Sequence, residues 1–132
     1  MKYILMMQFA VEGWKENSMG AWPPEDIQAN MAFLRSFHKE LTEAGEWVAS
    51  EGLGGPENRK VVRAKSGAPA VTDGPFLESK EFLAGYWIVD VDTPERAIEI
   101  AARLSAIPGR GGTPANIPIE VRPIMGSHGA DV

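Results

Sequence analysis

The sequence predicts an α+β fold whose elements follow the order β-α-β-β-α-β. Two stretches of helical periodicity each begin at a proline, and a strand-like run lies near either end of the chain. Between them, a Gly- and Pro-rich hairpin precedes the longest apolar run. At 132 residues, the chain has the length of one domain around one core. We expect a single domain over residues 1–125 and a flexible tail over residues 126–132.

The first strand and the first helix are predicted from their apolar patterns. Apolar side chains occupy both faces of "KYILMMQF", which indicates a central strand. Pro23 and Pro24, followed by two carboxylates, predict a helix start, and Gly45 predicts its end. Seven apolar residues and one histidine share the buried side predicted for this helix: Ile27, Met31, Phe33, Leu34, Phe37, His38, Leu41 and Ala44.

The middle of the chain predicts four further strands, two of which form a hairpin. "EWVASEGL" is the second strand, and "RKVVRAK" and "APAVT" form two hairpin arms around Ser66 and Gly67. "FLAGYWIVDV" has the pattern of a central strand, in which Gly85 permits close approach of another group and Phe82 shares a face with Tyr86 and Ile88.

A second helix and an edge strand complete the pattern. Thr93 is the expected cap and Pro94 the first residue of the helix, which Pro108 and Gly109 terminate. "NIPIEVRPI" alternates as a strand, and its prolines, which lack backbone donors, favour an edge position.

With right-handed crossovers, this order is the ferredoxin-like arrangement with an extended hairpin, in which both helices cover one face of an antiparallel sheet. The other face then exposes an apolar surface that includes Ile4, Met6 and Ile88, which is large for a monomer. We therefore expect a homodimer that associates through the sheets.

Composition narrows the possible partners. A net charge of -5 and a pI near 5.0 lack the basic signature of a nucleic-acid-binding protein. Without cysteine, the chain has no disulfide, catalytic thiolate or cysteine-ligated zinc. The N-terminal apolar run is too short to span a membrane and has no clear signal-peptide cleavage region. We expect a cytoplasmic protein with no membrane or nucleic-acid partner.

Asp73 and His38 are the candidate catalytic residues. Asp73 opens the turn "DGPF", where it either bonds to backbone donors of that turn or presents a carboxylate at a pocket mouth beside Phe76, with Lys80 or Arg63 near enough to tune its acidity. His38 lies on the apolar side of the first helix, as a general base or as a packed structural residue.

No metal or cofactor is predicted. Besides His38, the only histidine is His128 in the tail, so a two-histidine metal site would need the tail to fold back. The loop "GRGGT" matches neither the dinucleotide fingerprint nor the P-loop, and it follows a helix instead of preceding one.

The sequence resembles the YCII-related family, in particular the branch named after its DGPF tetrapeptide. The resemblance covers "MKYILMMQF", "FHKELTEAGEWVASEGL", "VTDGPFLESKEFLAGYWIVDVDTPERAIEIAAR" and "IEVRPIM". It implies a ferredoxin-like domain that dimerises through its sheets as a dimeric α+β barrel. Other branches have a proposed His-Asp pair in a dimer cleft; counting back from Gly52 by their spacing places Arg35 at the histidine position, with His38 about one turn further along.

Three functions remain open at this point. The leading hypothesis is a homodimeric protein that binds a small molecule near the sheet interface, using residues from the turn, the central strand and the first helix: His38, Asp73, Phe76, Tyr86 and Trp87, with Arg35 and Lys80 as further ligand-binding candidates. The second is a lyase or isomerase in which Asp73 or His38 moves a proton. The third is a regulatory interaction module, because members of the branch are often encoded beside extracytoplasmic-function sigma factors.

Overall fold

The computed structural model of the protein describes residues 1–74 and 79–126. Within this part of the chain there are six strands and three α-helices: β1 (Lys2–Ala10), α1 (Trp14–Asn17), α2 (Pro24–Glu43), β2 (Trp47–Gly52), β3 (Lys60–Lys65), β4 (Ala68–Asp73), β5 (Glu81–Asp90), α3 (Pro94–Ser105) and β6 (Ile119–Pro123). The predicted α+β class is confirmed. Phe76 and residues 127–132 of the predicted tail lie outside the described residues.

Four strands form the main sheet in the order β2-β5-β1-β6, and each neighbouring pair is antiparallel. The hairpin β3-β4 forms a separate two-stranded sheet, so β2 pairs directly with β5. Ser66 and Gly67 form the two-residue turn between β3 and β4. Both residues have positive φ, as the turn type common in short hairpins requires. Almost every hairpin side chain is exposed, so the hairpin projects from the domain.

Both long helices begin at the prolines that predicted them. Pro24 is the first residue of α2. Pro94 is the first residue of α3, and the Thr93 hydroxyl accepts a hydrogen bond of 3.2 Å from the Arg96 backbone N–H. This cap satisfies one of the free donors at the helix start.

One face of the sheet carries the hydrophobic core. Side chains of β1 and β5 pack there against α2 and α3, with Leu5, Phe37, Leu41, Val89, Ile100 and Leu104 fully buried. The two long helices cover this face. The opposite face of the sheet carries four side chains that are half-buried within the described chain: Ile4, Met6, Tyr86 and Ile88.

A bulge changes the predicted facing of β5. Gly85 pairs with Met7, but Leu83 pairs with Gln8, so the alternation shifts by one residue between them. Phe82 consequently lies on the helix-covered side at 3% exposure, and the prediction that it shares a face with Tyr86 and Ile88 is wrong. At Gly85 an added Cβ would lie 3.0 Å from the Glu51 carbonyl oxygen, which is the close approach that the sequence predicted.

The buried side of α2 is also rotated from the predicted one. Met31 is 44% exposed, whereas its neighbour Asn30 is only 4% exposed. Asn30 and Asp26 turn inward because both bond to the loop after α3, through the Pro108 carbonyl oxygen and the Gly111 backbone N–H respectively. Among the described residues, no helix is long and apolar enough to cross a membrane.

Candidate functional site

A cleft of about 1320 Å³ lies between the helix-covered face of the sheet and α2. Its floor is formed by β1 and β5, one wall by α2, and its rim by residues 11–22, 50–53, 79–81 and 107–118. The volume is above the 300–1,000 Å³ common for pockets that hold drug-sized ligands. A ligand of two or more fused rings therefore has room within it.

Aromatic packing builds one end of the cleft. Trp14, from the short helix α1, contacts the rings of Phe9 and Phe82, with centroid distances of 5.4 and 4.9 Å. An added Cβ at Gly55 would lie 2.8 Å from the Trp14 indole nitrogen, so glycine allows the indole to fit there. The first loop is thus anchored to the sheet by Trp14, which also lines the cleft.

His38 lies in the wall of the cleft with a defined hydrogen bond. The indole N–H of Trp87 donates to His38 Nε2 over 3.0 Å. An indole nitrogen can only donate, so Nε2 must be unprotonated and the proton of the neutral ring is on Nδ1. Burial lowers the pKa of His38, which agrees with a neutral ring.

The His38 ring is held by a second tryptophan. Trp47 of β2 meets it edge-on at a centroid distance of 4.5 Å. Nδ1 has no hydrogen-bond partner among residues 1–74 and 79–126, although both the ring and Trp87 line the cleft. His38 therefore offers the cleft a donor, while its acceptor nitrogen is occupied.

Asn30 is held beside the cleft by the loop after α3. Its Nδ2 donates to the Pro108 carbonyl oxygen over 2.9 Å, which fixes the orientation of the amide because a carbonyl oxygen cannot donate. Oδ1 has no donor among the described residues and is buried, so it does not face the open space of the cleft that Asn30 helps to line.

Two loops at the rim are tied together by Arg110. Its guanidinium donates to the carbonyl oxygens of Glu16 and Ala21 over 3.0 and 3.2 Å. Asp26 accepts from the Gly111 N–H over 2.8 Å, and Gly111 has a φ of 78°, a conformation that favours glycine. These bonds hold the loop after α3 against the loop before α2.

Charged side chains along the described rim are mainly acidic. Glu12, Glu51 and Glu81 line the cleft with one lysine, Lys80. With His38 neutral, these groups sum to a negative charge. Within the described parts of the chain, no three His, Cys, Asp or Glu side chains are grouped so that they could hold a metal ion.

Three of the sequence-predicted site residues meet in this cleft: His38, Trp87 and Lys80. Three others do not line it. Asp73 is exposed at the end of β4 and accepts a 2.6 Å bond from Lys60 Nζ. Arg35 is exposed on α2, and Tyr86 is on the opposite sheet face, paired with Met6.

Asn30 is a lining residue that sequence reasoning missed. An asparagine among apolar residues in a helix is one signal that was available for Asn30. Its role was hidden because its partner, Pro108, is far along the chain.

The described part of the DGPF turn has a structural role. The Gly74 N–H donates to the Arg59 carbonyl oxygen over 2.7 Å. A Cβ at Gly74 would lie 2.9 Å from the Pro56 carbonyl oxygen, closer than real Cβ contacts. Glycine is thus needed where this turn passes the backbone before β3.

The family model of the YCII-related domain matches residues 1–119. The chain belongs to the YCII-related family. It is also similar to an uncharacterized protein of Rhizobium meliloti (strain 1021), with 29% identity over 119 residues, covering 89% of this chain and 92% of the relative. The matched region of this YCII-related protein includes all three described α-helices and the residues of the cleft.

Proposed function

We propose that this YCII-related protein binds a small molecule in the cleft between the sheet and α2. The observation that carries the proposal is a large, mainly apolar cavity with a few polar groups at set positions, the usual character of a ligand site. The His38 ring is one of those groups, and the indole N–H of Trp87 orients it.

The same geometry favours binding over proton transfer. A histidine that acts as a base needs a free, unprotonated nitrogen within reach of the substrate. Here that nitrogen is Nε2, and it accepts the Trp87 N–H. Asp73, the other candidate base, lies outside the lining of the cleft and is paired with Lys60. A lyase or isomerase mechanism would require His38 to break its bond to Trp87.

We further propose a ferredoxin-like homodimer that associates through the open sheet face. Its support is the strand order β2-β5-β1-β6, with both long helices on one face and four large apolar side chains on the other: Ile4, Met6, Tyr86 and Ile88. A contiguous apolar surface of this kind is favourable when a second sheet covers it.

Ligand binding is tested with paired tryptophan substitutions. Leu34→Trp fills the cleft, whereas Ile98→Trp places the same side chain on the exposed side of α3. In a thermal-shift screen of aromatic and aliphatic fragments, we expect compounds that stabilise the unmodified protein and Ile98→Trp but not Leu34→Trp. Equal stabilisation of both variants would place binding elsewhere.

Dimerisation is tested with Ile88→Glu, which introduces a charge on the open face. Sedimentation velocity at micromolar concentration should give a dimer for the unmodified protein and a monomer for this variant, with the circular dichroism spectrum unchanged. A monomeric unmodified protein would refute the dimer.

A further inference from the structure

Two polar side chains flank Trp87 on the helix-covered face of the sheet. From α2, His38 accepts the Trp87 indole N–H at Nε2 over 3.0 Å. From β2, Ser50 is the direct cross-strand partner of Trp87 in the pairing of β2 with β5. Direct partners point their side chains to the same face of a sheet, so the Ser50 hydroxyl lies on the same side as Trp87. Both Ser50 and His38 line the cleft.

Each of these two side chains has a polar atom that is open to a ligand. Ser50 Oγ and His38 Nδ1 have no hydrogen-bond partner among residues 1–74 and 79–126, and neither atom is fully buried. Because Trp87 occupies the acceptor nitrogen of His38, Nδ1 carries the proton and only donates. A serine hydroxyl also donates. The cleft therefore presents two donors beside Trp87.

A carbonyl oxygen matches this pair of donors. It accepts two hydrogen bonds through its two lone pairs, whereas an ammonium group only donates and would find no acceptor at His38. Among the described lining residues, the exposed Lys80 is the only cation. A carboxylate bound beside Trp87 would lose hydration without gaining a paired charge there, so an uncharged carbonyl is favoured.

Apolar and aromatic side chains form much of the remaining lining. Leu34 lies one turn before His38 on α2 and is half-buried, so part of its side chain is available to a ligand. Phe9 and Trp14 are also half-buried lining residues, with ring centroids 5.4 Å apart. Planar rings bury a large apolar area against such side chains. A fused-ring molecule with a carbonyl group therefore fits both the apolar lining and the donor pair.

We propose that the ligand is an uncharged fused-ring carbonyl compound whose carbonyl oxygen accepts hydrogen bonds from His38 Nδ1–H and the Ser50 hydroxyl. This inference rests on the proposed ligand-binding function and specifies its chemical class. Trp87 is a positioning residue, because its N–H fixes the imidazole tautomer that makes Nδ1 a donor. The apolar lining provides affinity, and the donor pair provides selectivity.

Indole and oxindole provide a matched pair of probes, because both have fused rings and a ring N–H but only oxindole has a carbonyl group. In isothermal titration calorimetry, we expect Ser50→Ala and His38→Phe each to weaken oxindole binding roughly five- to tenfold, the effect of one hydrogen bond. Neither variant should change the affinity for indole by as much as about twofold. Ser36→Ala is the matched control and should leave both affinities unchanged, because Ser36 is exposed on α2 and does not line the cleft.

Nitrogen-15 NMR of the imidazole tests the His38 donor without any substitution. Saturating oxindole should shift the His38 Nδ1–H signal and leave Nε2 unprotonated, whereas indole should shift the Nδ1–H signal less. An Nδ1–H signal that oxindole leaves unchanged would overturn the inference.

A third probe tests the preference for an uncharged ligand. Indole-2-carboxylate carries its carboxylate at the ring position where oxindole carries its carbonyl oxygen. We expect the unmodified protein to bind this anion at least roughly fivefold more weakly than oxindole, because the anion loses hydration without a paired charge. Tighter binding of the anion would contradict the proposed ligand class.

The outcomes separate this inference from the function on which it rests. If the two variants weaken indole and oxindole equally or not at all, and Leu34→Trp abolishes binding of both, the ligand-binding function stands and the carbonyl requirement is wrong. Selective loss of oxindole in only one variant would overturn the two-donor arrangement. If no probe binds at millimolar concentration, the ligand-binding function and the inference both fail. Ser50→Ala and the NMR titration decide the inference even if His38→Phe does not fold.

Discussion

Replacing Trp87 by Phe tests the arrangement around His38 in detail. The substitution keeps an aromatic ring in the core position but removes the N–H that donates to His38 Nε2. Loss of that bond costs about 1 kcal/mol. Removal of the second ring at a position only 8% exposed costs about 1–2 kcal/mol more. The free energy of unfolding should therefore fall by about 2–3 kcal/mol, seen as a urea midpoint lowered by roughly 1 M or more.

The same variant should change the titration of His38. In the unmodified protein, burial lowers the pKa of His38, and the Trp87 bond also favours the neutral ring. The unfolded chain has a histidine pKa of about 6.5 and binds more protons as the pH falls through that value. The stability from this group is thus fully present above about pH 6.5 and is lost as the pH falls through the lower folded pKa. Trp87→Phe should raise the pKa of His38 toward 6.5 and make this loss smaller.

Nitrogen-15 NMR of the imidazoles provides the direct assay, because the chemical shifts distinguish Nδ1–H from Nε2–H. The chain has two histidines, so His38→Gln assigns the signals. We expect the Nδ1–H form of His38 at pH 7.5 in the unmodified protein and a mixture of forms in Trp87→Phe. An Nε2–H ring in the unmodified protein, or an unchanged His38 pKa in the variant, would refute the reasoning.

Three further predictions concern stability and binding outside this pair. Arg96 bonds to both carboxylate oxygens of Glu46 at 2.8 Å and lowers the Glu46 pKa, so Arg96→Ala should lower the unfolding free energy by about 1–2 kcal/mol at pH 7. This difference in unfolding free energy between the variant and the unmodified protein should vanish as the pH falls below the Glu46 pKa, because protonation of Glu46 breaks the pair in the unmodified protein. A difference at pH 3 as large as that at pH 7, measured by urea unfolding, would contradict this. Gly74→Ala should destabilise by about 1–3 kcal/mol through its backbone contact in urea unfolding, whereas Gly20→Ala, which has no neighbour within 4 Å, should change stability little. Asp73→Asn should leave the calorimetric affinity for indole unchanged, and a several-fold loss would show that the turn reaches the cleft.

Local signals in the sequence predicted the elements well. Prolines and the Thr93 cap mark where α2 and α3 begin, because proline suits a first helical turn. The turn of the hairpin was predicted at Ser66 and Gly67, and both residues have the positive φ of a tight hairpin turn. Each of these features depends on neighbouring residues, which a single sequence displays directly.

Features that depend on distant residues were not predictable in the same way. Asn30 is buried because the Pro108 carbonyl oxygen accepts its amide, and Phe82 changes sides because a bulge shifts β5 against β1. The apolar period alone would place Met31 inward, yet a polar residue with a buried partner takes that side of the helix. His38 was found from its apolar surroundings, but the donor that sets its tautomer comes from β5.

Mapping indole binding by NMR tests the central claim most directly. In a ¹H–¹⁵N titration of the unmodified protein, we expect shifts in the side-chain amide signal of Asn30 and in the indole signals of Trp14 and Trp87, because these three residues line the cleft. The backbone signals of Val62 on the hairpin and Ile98 on α3 should stay unchanged, because both residues are exposed and neither lines the cleft. Shifts confined to these two regions, or no shifts at millimolar indole, would contradict a ligand site between the sheet and α2.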